Sequence, residues 1–133
     1  MPILDVFVLE DEMPVRMVLV DALEGVGYRT TGFGDGASAL ERLAEITPAL
    51  IMLDMRMPRM DGFEFLTKLR ANPDWTRIPV VIVSGLGDEL LRAIDASRAD
   101  SLGVVGIFAK PFDLPTLLRY VALVVAGQLG RRR

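Results

Sequence analysis

The sequence predicts a three-layer α/β fold in which five parallel strands form a doubly wound sheet of order 2-1-3-4-5. Three observations predict it. Short apolar runs alternate with stretches of helical periodicity along the 133 residues. The runs Ala49–Leu53 and Pro79–Val83 are apolar throughout, so both of their faces need cover, as in a parallel sheet between helix layers. Right-handed crossovers with five strands and five helices favour the doubly wound order. The length suits one domain with an ordinary core.

Each element has its own signal. Ile3 to Leu9 is a first strand. Pro14 suits a helix start, and Val15, Val18, Leu19, Ala22 and Leu23 form one face, ended by Gly25 and Gly27. Tyr28 to Phe33 is a weaker second strand. Gly34-Asp35-Gly36 is a turn in which Asp35 caps a helix from Ala37 to Ile46. Ala49 to Leu53 is the third strand, and Gly62 to Ala71 a helix with Phe63, Leu66 and Leu69 on one side. Pro79 to Val83 is the fourth strand, leaving the sheet at Ser84-Gly85. A long helix from Glu89 to Leu102, a fifth strand from Val104 to Ala109 and a last helix from Leu114 to Val125 complete the pattern. Residues 1–127 read as the domain and 128–133, with Arg131-Arg132-Arg133, as a basic, solvated tail.

Composition narrows the chemistry. The chain has no Cys, which excludes disulfides and thiolate sites, and no His, which removes the usual general base and transition-metal ligand. Carboxylate and hard-metal chemistry remains. The net charge of −3 offers no basic field for direct nucleic-acid binding. No apolar stretch approaches the ~20 residues needed to span a membrane. The start, Met1-Pro2-Ile3-Leu4-Asp5, lacks the features of a signal peptide, so a cytoplasmic location is expected.

In the predicted order the first and third strands are neighbours at the topological switch point, where ligands bind in open α/β sheets. The first strand leaves at Glu10-Asp11, the third at Asp54, the fourth at Ser84 and the fifth at Lys110. One rim thus gathers three carboxylates, a hydroxyl and an ammonium. Three carboxylates repel one another unless a cation sits among them. Lys110 balances one charge and a divalent ion the other two, and an all-oxygen donor set favours Mg2+. Such a rim suits phosphoryl transfer, with Asp54 as the candidate nucleophile.

These residues resemble a known family. Glu10-Asp11, Asp54 followed by Met57-Pro58 and Asp61-Gly62, Ser84-Gly85, and Lys110-Pro111-Phe112 look like the receiver domain of two-component response regulators, from Ile3 to about Val125. The resemblance implies a flavodoxin-like fold and an Asp54 phosphorylated by a histidine kinase or histidine phosphotransfer protein. It implies Mg2+ held directly by Asp11 and Asp54, by Glu10 through water and by the Arg56 backbone carbonyl. Lys110 then pairs with the phosphoryl group, Ser84 is the switch hydroxyl, and Lys110-Pro111 is a cis peptide. Such a domain is not an enzyme toward other substrates, catalysing only its own phosphorylation and dephosphorylation. It switches an output protein or effector domain through the fourth helix and fifth strand.

Two departures from the family stand out. An aromatic often precedes the Lys by three residues, and Ile107 stands there. The stretch from Ser84 to Lys110 is a few residues longer than usual, mostly in the expected fourth helix. This longer stretch looks like receivers attached to cyclic-di-GMP phosphodiesterase domains. Two other readings stay open. In a Mg2+-dependent phosphatase with an Asp nucleophile, a second acid commonly stands two positions on, where Arg56 is found. A degenerate receiver serving as a phosphorylation-independent docking module would not need the intact acids and Lys110. The Met-rich stretch, Met52, Met55, Met57 and Met60, reads as packing.

Overall fold

In the computed structural model, which describes residues 2–85 and 96–127, five parallel strands lie in the order β2-β1-β3-β4-β5. They are β1 (Asp5–Leu9), β2 (Arg29–Phe33), β3 (Leu50–Leu53), β4 (Val80–Ser84) and β5 (Val104–Ala109). The helices are α1 (Met13–Gly25), α2 (Gly36–Leu43), α3 (Gly62–Ala71), α4 (Ala96–Leu102) and α5 (Leu114–Val125). A 3-10 turn, Pro73–Trp75, joins α3 to β4. Of the helix expected over Glu89 to Leu102, residues 89–95 lie outside the described residues, as does the tail 128–133. Among the described residues, no helix is long and apolar enough to cross a membrane.

Strand side chains alternate between two faces. Phe7, Leu9, Ile51, Leu53, Val80 and Ile82 pack with Ala39 and Leu43 of α2 and Phe65, Leu66 and Leu69 of α3. Val6, Val8, Leu50, Met52, Val81 and Val83 pack with Leu19 and Leu23 of α1 and Leu117, Val121 and Val124 of α5. The central strands are therefore buried on both sides, the cause of their unbroken apolar runs. Two expected core positions shift. Val18 is 50% exposed, because the α1 stripe centres on Leu19 and Leu23. In α3 it is Phe65 that is fully buried, while Phe63 lies at the core's margin under Arg98. Helix α2 ends at Leu43 rather than Ile46, where the Ala44 and Glu45 N–H groups donate to carbonyls three residues back, on Glu41 and Arg42, and the last turn tightens.

The edges of the sheet are irregular or charged, which discourages further strand pairing. On β2, Arg29 makes two hydrogen bonds to Asp5, at 2.7 and 3.0 Å. On β5, Val80 pairs with Val104 but Val81 with Gly106. Val105 is thus the extra residue of a β-bulge, and takes up part of the added length between Ser84 and Lys110. Tyr120 of α5 lies against Gly106, where a Cβ would fall 2.6 Å from its ring. Its hydroxyl donates to the Val105 carbonyl, and its ring meets Phe108 edge-on. Phe108 therefore faces α5, while Ile107 faces the opposite layer.

At the far end of the sheet from the strand exits, Arg70 of α3 donates to the carbonyls of Leu102 (2.7 Å), Trp75 (2.7 Å) and Ile78 (2.6 Å). One guanidinium thus ties the end of α4 to the entry of β4. Gly103, at φ +70°, lies so close that a Cβ would meet the guanidinium at 2.3 Å. Glycine here serves both the left-handed backbone and the close approach.

Candidate functional site

The cleft is assembled from strand ends. The Asp54 N–H donates to the Leu9 carbonyl (2.9 Å) and the Glu10 N–H to the Phe33 carbonyl (2.9 Å), so β3, β1 and β2 end in register. The Lys110 N–H donates to the Ser84 carbonyl (2.9 Å), which joins the ends of β4 and β5. Asp11, Glu12, Asp54, Arg56, Gly85 and Lys110 line a cleft of about 330 Å³.

The loop from β3 to α3 holds Asp54 from behind. Met55 and Met57 are buried, as the packing reading expected. The Gly62 N–H donates to the Met55 carbonyl (3.0 Å), and a Cβ on Gly62 would lie 2.7 Å from the Met55 Cα. Asp61 caps α3 by accepting from the Glu64 N–H (2.9 Å). Asp35 caps α2 in the same way, through the Ser38 N–H (2.8 Å). The Lys110-Pro111 peptide is cis.

Glu10, Asp11 and Asp54 each offer a carboxylate oxygen, and these atoms lie within 4.8 Å of one another. Glu10 and Asp54 are buried, at 1% and 5% exposure, whereas Asp11 faces solvent. Lys110 Nζ lies 2.6 Å from Glu10 Oε1 and 3.3 Å from Asp54 Oδ2. The other Asp54 oxygen, Oδ1, accepts from the Arg56 N–H (3.1 Å). The other Glu10 oxygen accepts from the Glu12 N–H (3.1 Å).

Burial pushes the Glu10 carboxyl up to about 7. Hydrogen bonds from Lys110 and the Glu12 N–H oppose that rise, and the charge of Asp54 reinforces it. Desolvation pulls Lys110 down, but its bond to Glu10 and the charges of Asp54 and Glu10 prevail, so its net shift is upward. Among the described residues, the three acids outnumber the Lys110 ammonium that contacts Glu10 and Asp54, which leaves negative charge to be balanced. The donors are all oxygens, which fits a hard divalent cation such as Mg2+.

The expected residues do not all meet in one way. Glu10, Asp11, Asp54 and Lys110 converge, and Arg56 lines the same cleft. Ser84 ends β4 fully buried, and it is its neighbour Gly85 that lines the cleft. Two residues escaped the sequence reading. Glu12 joins the rim, with a carboxylate oxygen 3.9 Å from Lys110 Nζ. Arg16 donates to the Glu10 carbonyl (2.8 Å) from α1. Adjacency to Glu10-Asp11 was the available signal for Glu12. For Arg16 it was the pair of glycines, Gly32 and Gly34, that make room for its side chain.

A family model of the response regulator receiver domain matches residues 6–122. A probable chemotaxis protein CheY of Rhizobium etli is 34% identical over 110 residues, covering 82% of this chain and 82% of that protein. The cyclic di-GMP phosphodiesterase response regulator RpfG of Xanthomonas campestris is 33% identical over 110 residues, covering 81% of this chain but 28% of RpfG. Near-equal identity to a small relative and to a part of a larger one assigns the chain to neither arrangement. The signal receiver domain of a signal transduction histidine kinase from Syntrophus aciditrophicus superposes with a TM-score of 0.79 at 29% identity, over 93% of this chain and 91% of that one.

Proposed function

The chain belongs to the response regulator receiver domain family, and from that premise we propose that it is a phosphorylation switch with Asp54 as phosphoacceptor. The donor is a histidine kinase or a histidine phosphotransfer protein. One Asp54 oxygen forms a bond to phosphorus as the bond from phosphorus to the donor's imidazole nitrogen breaks. No His in this chain competes for the group. The domain catalyses only its own phosphorylation and dephosphorylation.

The observation that carries the reading is Asp54 itself. A buried carboxylate at the base of an open cleft, with Lys110 on one oxygen and the Arg56 N–H on the other, is oriented for attack. Asp11 and Asp54 would hold Mg2+ directly, Glu10 through water and Arg56 through its carbonyl. Mg2+ supplies neutralisation of the phosphoryl charge. Lys110 answers the same charge, a stabilisation whose loss slows transfer.

The output runs from Ser84 into the fourth helix and β5. Ser84 ends β4 beside Ala109 of β5, so a Ser84 hydroxyl drawn to the phosphoryl group repacks those neighbours. Ile107, half-buried and β-branched, has few rotamers, and Phe108 is turned toward α5, so no aromatic gate accompanies the shift. The output partner, protein or attached domain, then reads the surface of the fourth helix and β5. A switch of this kind needs different contacts in its two states, and the Ser84–phosphoryl bond supplies one.

A phosphoryl mimic tests the reading. Fluorine NMR with beryllofluoride and Mg2+ is expected to give a bound signal that Asp54→Asn abolishes. Amide shifts at Gly85 and along Ala96–Leu102 are expected to follow it, and Ser84→Ala to suppress them. A bound signal undiminished in Asp54→Asn would contradict the reading.

A further inference from the structure

We infer that Arg16 is a positioning residue for the metal ligands, holding the Glu10-Asp11 peptide so that both carboxylates stand beside Asp54. The inference rests on the Mg2+ reading above.

Where β1 ends, its backbone loses the sheet. The Glu10 N–H still reaches Phe33 of β2 (2.9 Å). A backbone acceptor away from water needs a partner, and Arg16 Nη1 supplies it to the Glu10 carbonyl at 2.8 Å, lying also 3.5 Å from the Asp11 carbonyl. Both backbone polar groups of Glu10 are thus held, its N–H by Phe33 and its carbonyl by Arg16. From that fixed backbone its side chain reaches Lys110 (2.6 Å) and the Glu12 N–H (3.1 Å). Asp11 follows from the same fixed peptide.

The seat for Arg16 is built. Its stem crosses β2 where Gly32 presents no side chain, and a Cβ there would lie 3.1 Å from Arg16 Cγ and Cδ. A Cβ on Gly34 would lie 3.2 Å from Nη1. Between them Phe33 turns inward to meet Phe7 at 4.9 Å. Successive residues at the end of β2 and just beyond it, Gly32, Phe33 and Gly34, thus serve the arginine, the core and the arginine again.

The contact uses one guanidinium nitrogen, so a lysine can replace it, as it could not at a bidentate fork. Partners of metal ligands typically account for about 10–100-fold in metal affinity. The expected outcome is that Arg16→Met weakens Mg2+ binding about tenfold by NMR titration, while Arg16→Lys stays within about threefold of wild type. In phosphorylation by acetyl phosphate, the half-saturating Mg2+ concentration is expected to rise in Arg16→Met with the plateau rate retained. Should Arg16→Met not fold, Arg16→Gln makes the same comparison, its amide being too short to reach the carbonyl. Met or Gln affinity within twofold of wild type would overturn the inference. So would a Lys variant as weak as Met, or a lowered plateau with unchanged half-saturation. A wild type that binds no Mg2+ would instead remove the reading on which the inference rests.

Discussion

Lys110 Nζ lies 2.6 Å from Glu10 Oε1 and, on its other side, 3.3 Å from Asp54 Oδ2. One ammonium thus occupies the space between two buried carboxylates. It both relieves their repulsion and competes with any cation that binds them. Lys110→Met is therefore expected to bind Mg2+ several-fold more tightly than wild type. In chelator the same variant is expected to lose about 1–3 kcal/mol of stability, since two buried acids lose their partner. Mg2+ is expected to restore more of its thermal midpoint than it adds to wild type. Transfer from acetyl phosphate is expected to slow about a hundredfold, as when a preorganised charge is removed from a transition state. Unchanged Mg2+ affinity would count against the competition.

Gly62 offers a test by sign. Inside a helix an Ala for Gly exchange ordinarily stabilises by about 0.8–1.0 kcal/mol, and Gly62 is the first residue of α3 after its Asp61 cap. Here the added Cβ would meet Met55 Sδ at 2.4 Å and Met55 Cα at 2.7 Å. Backbone cannot yield as a side-chain tip does, so Gly62→Ala is expected to destabilise by about 1–3 kcal/mol. Urea denaturation measures it. A stabilised variant would show that the loop behind Asp54 is looser than its geometry implies.

Arg70 is the corresponding anchor at the far end of the sheet. Burial pulls its guanidinium below the usual arginine value, and its donors reach the carbonyls of Leu102, Trp75 and Ile78. Arg70→Met leaves these acceptors without that donor and is expected to cost about 2–4 kcal/mol. Hydrogen exchange is expected to quicken in α4 and at the start of β4, with the exits at Glu10 and Asp54 little changed. A loss confined to α3 would contradict the anchoring role.

Much of this was legible along the chain. The runs Ala49–Leu53 and Pro79–Val83 declared a sheet buried on both faces, and the polar residues at the exits of the first, third, fourth and fifth strands marked the rim. Burial explains why that worked: β1, β3 and β4 leave no polar choice until they exit. The chain was less legible where a partner is distant or is backbone. Arg16 and Arg70 bind carbonyls, which no residue type advertises. The bulge at Val105 depends on the register of β5 against β4, and periodicity along one strand cannot report pairing. Phe63 and Phe65 are both apolar in the first turns of α3, and only the direction of the helix against Phe7 and Ile51 selects Phe65.

Asp54 bears the central claim, and intact-mass measurement after incubation with acetyl phosphate and Mg2+ tests it most directly. Wild type is expected to gain a single phosphoryl group, lost on mild base treatment as an acyl phosphate is, and Asp54→Asn to gain none. No adduct on wild type, or an adduct of equal yield on Asp54→Asn, would contradict the account.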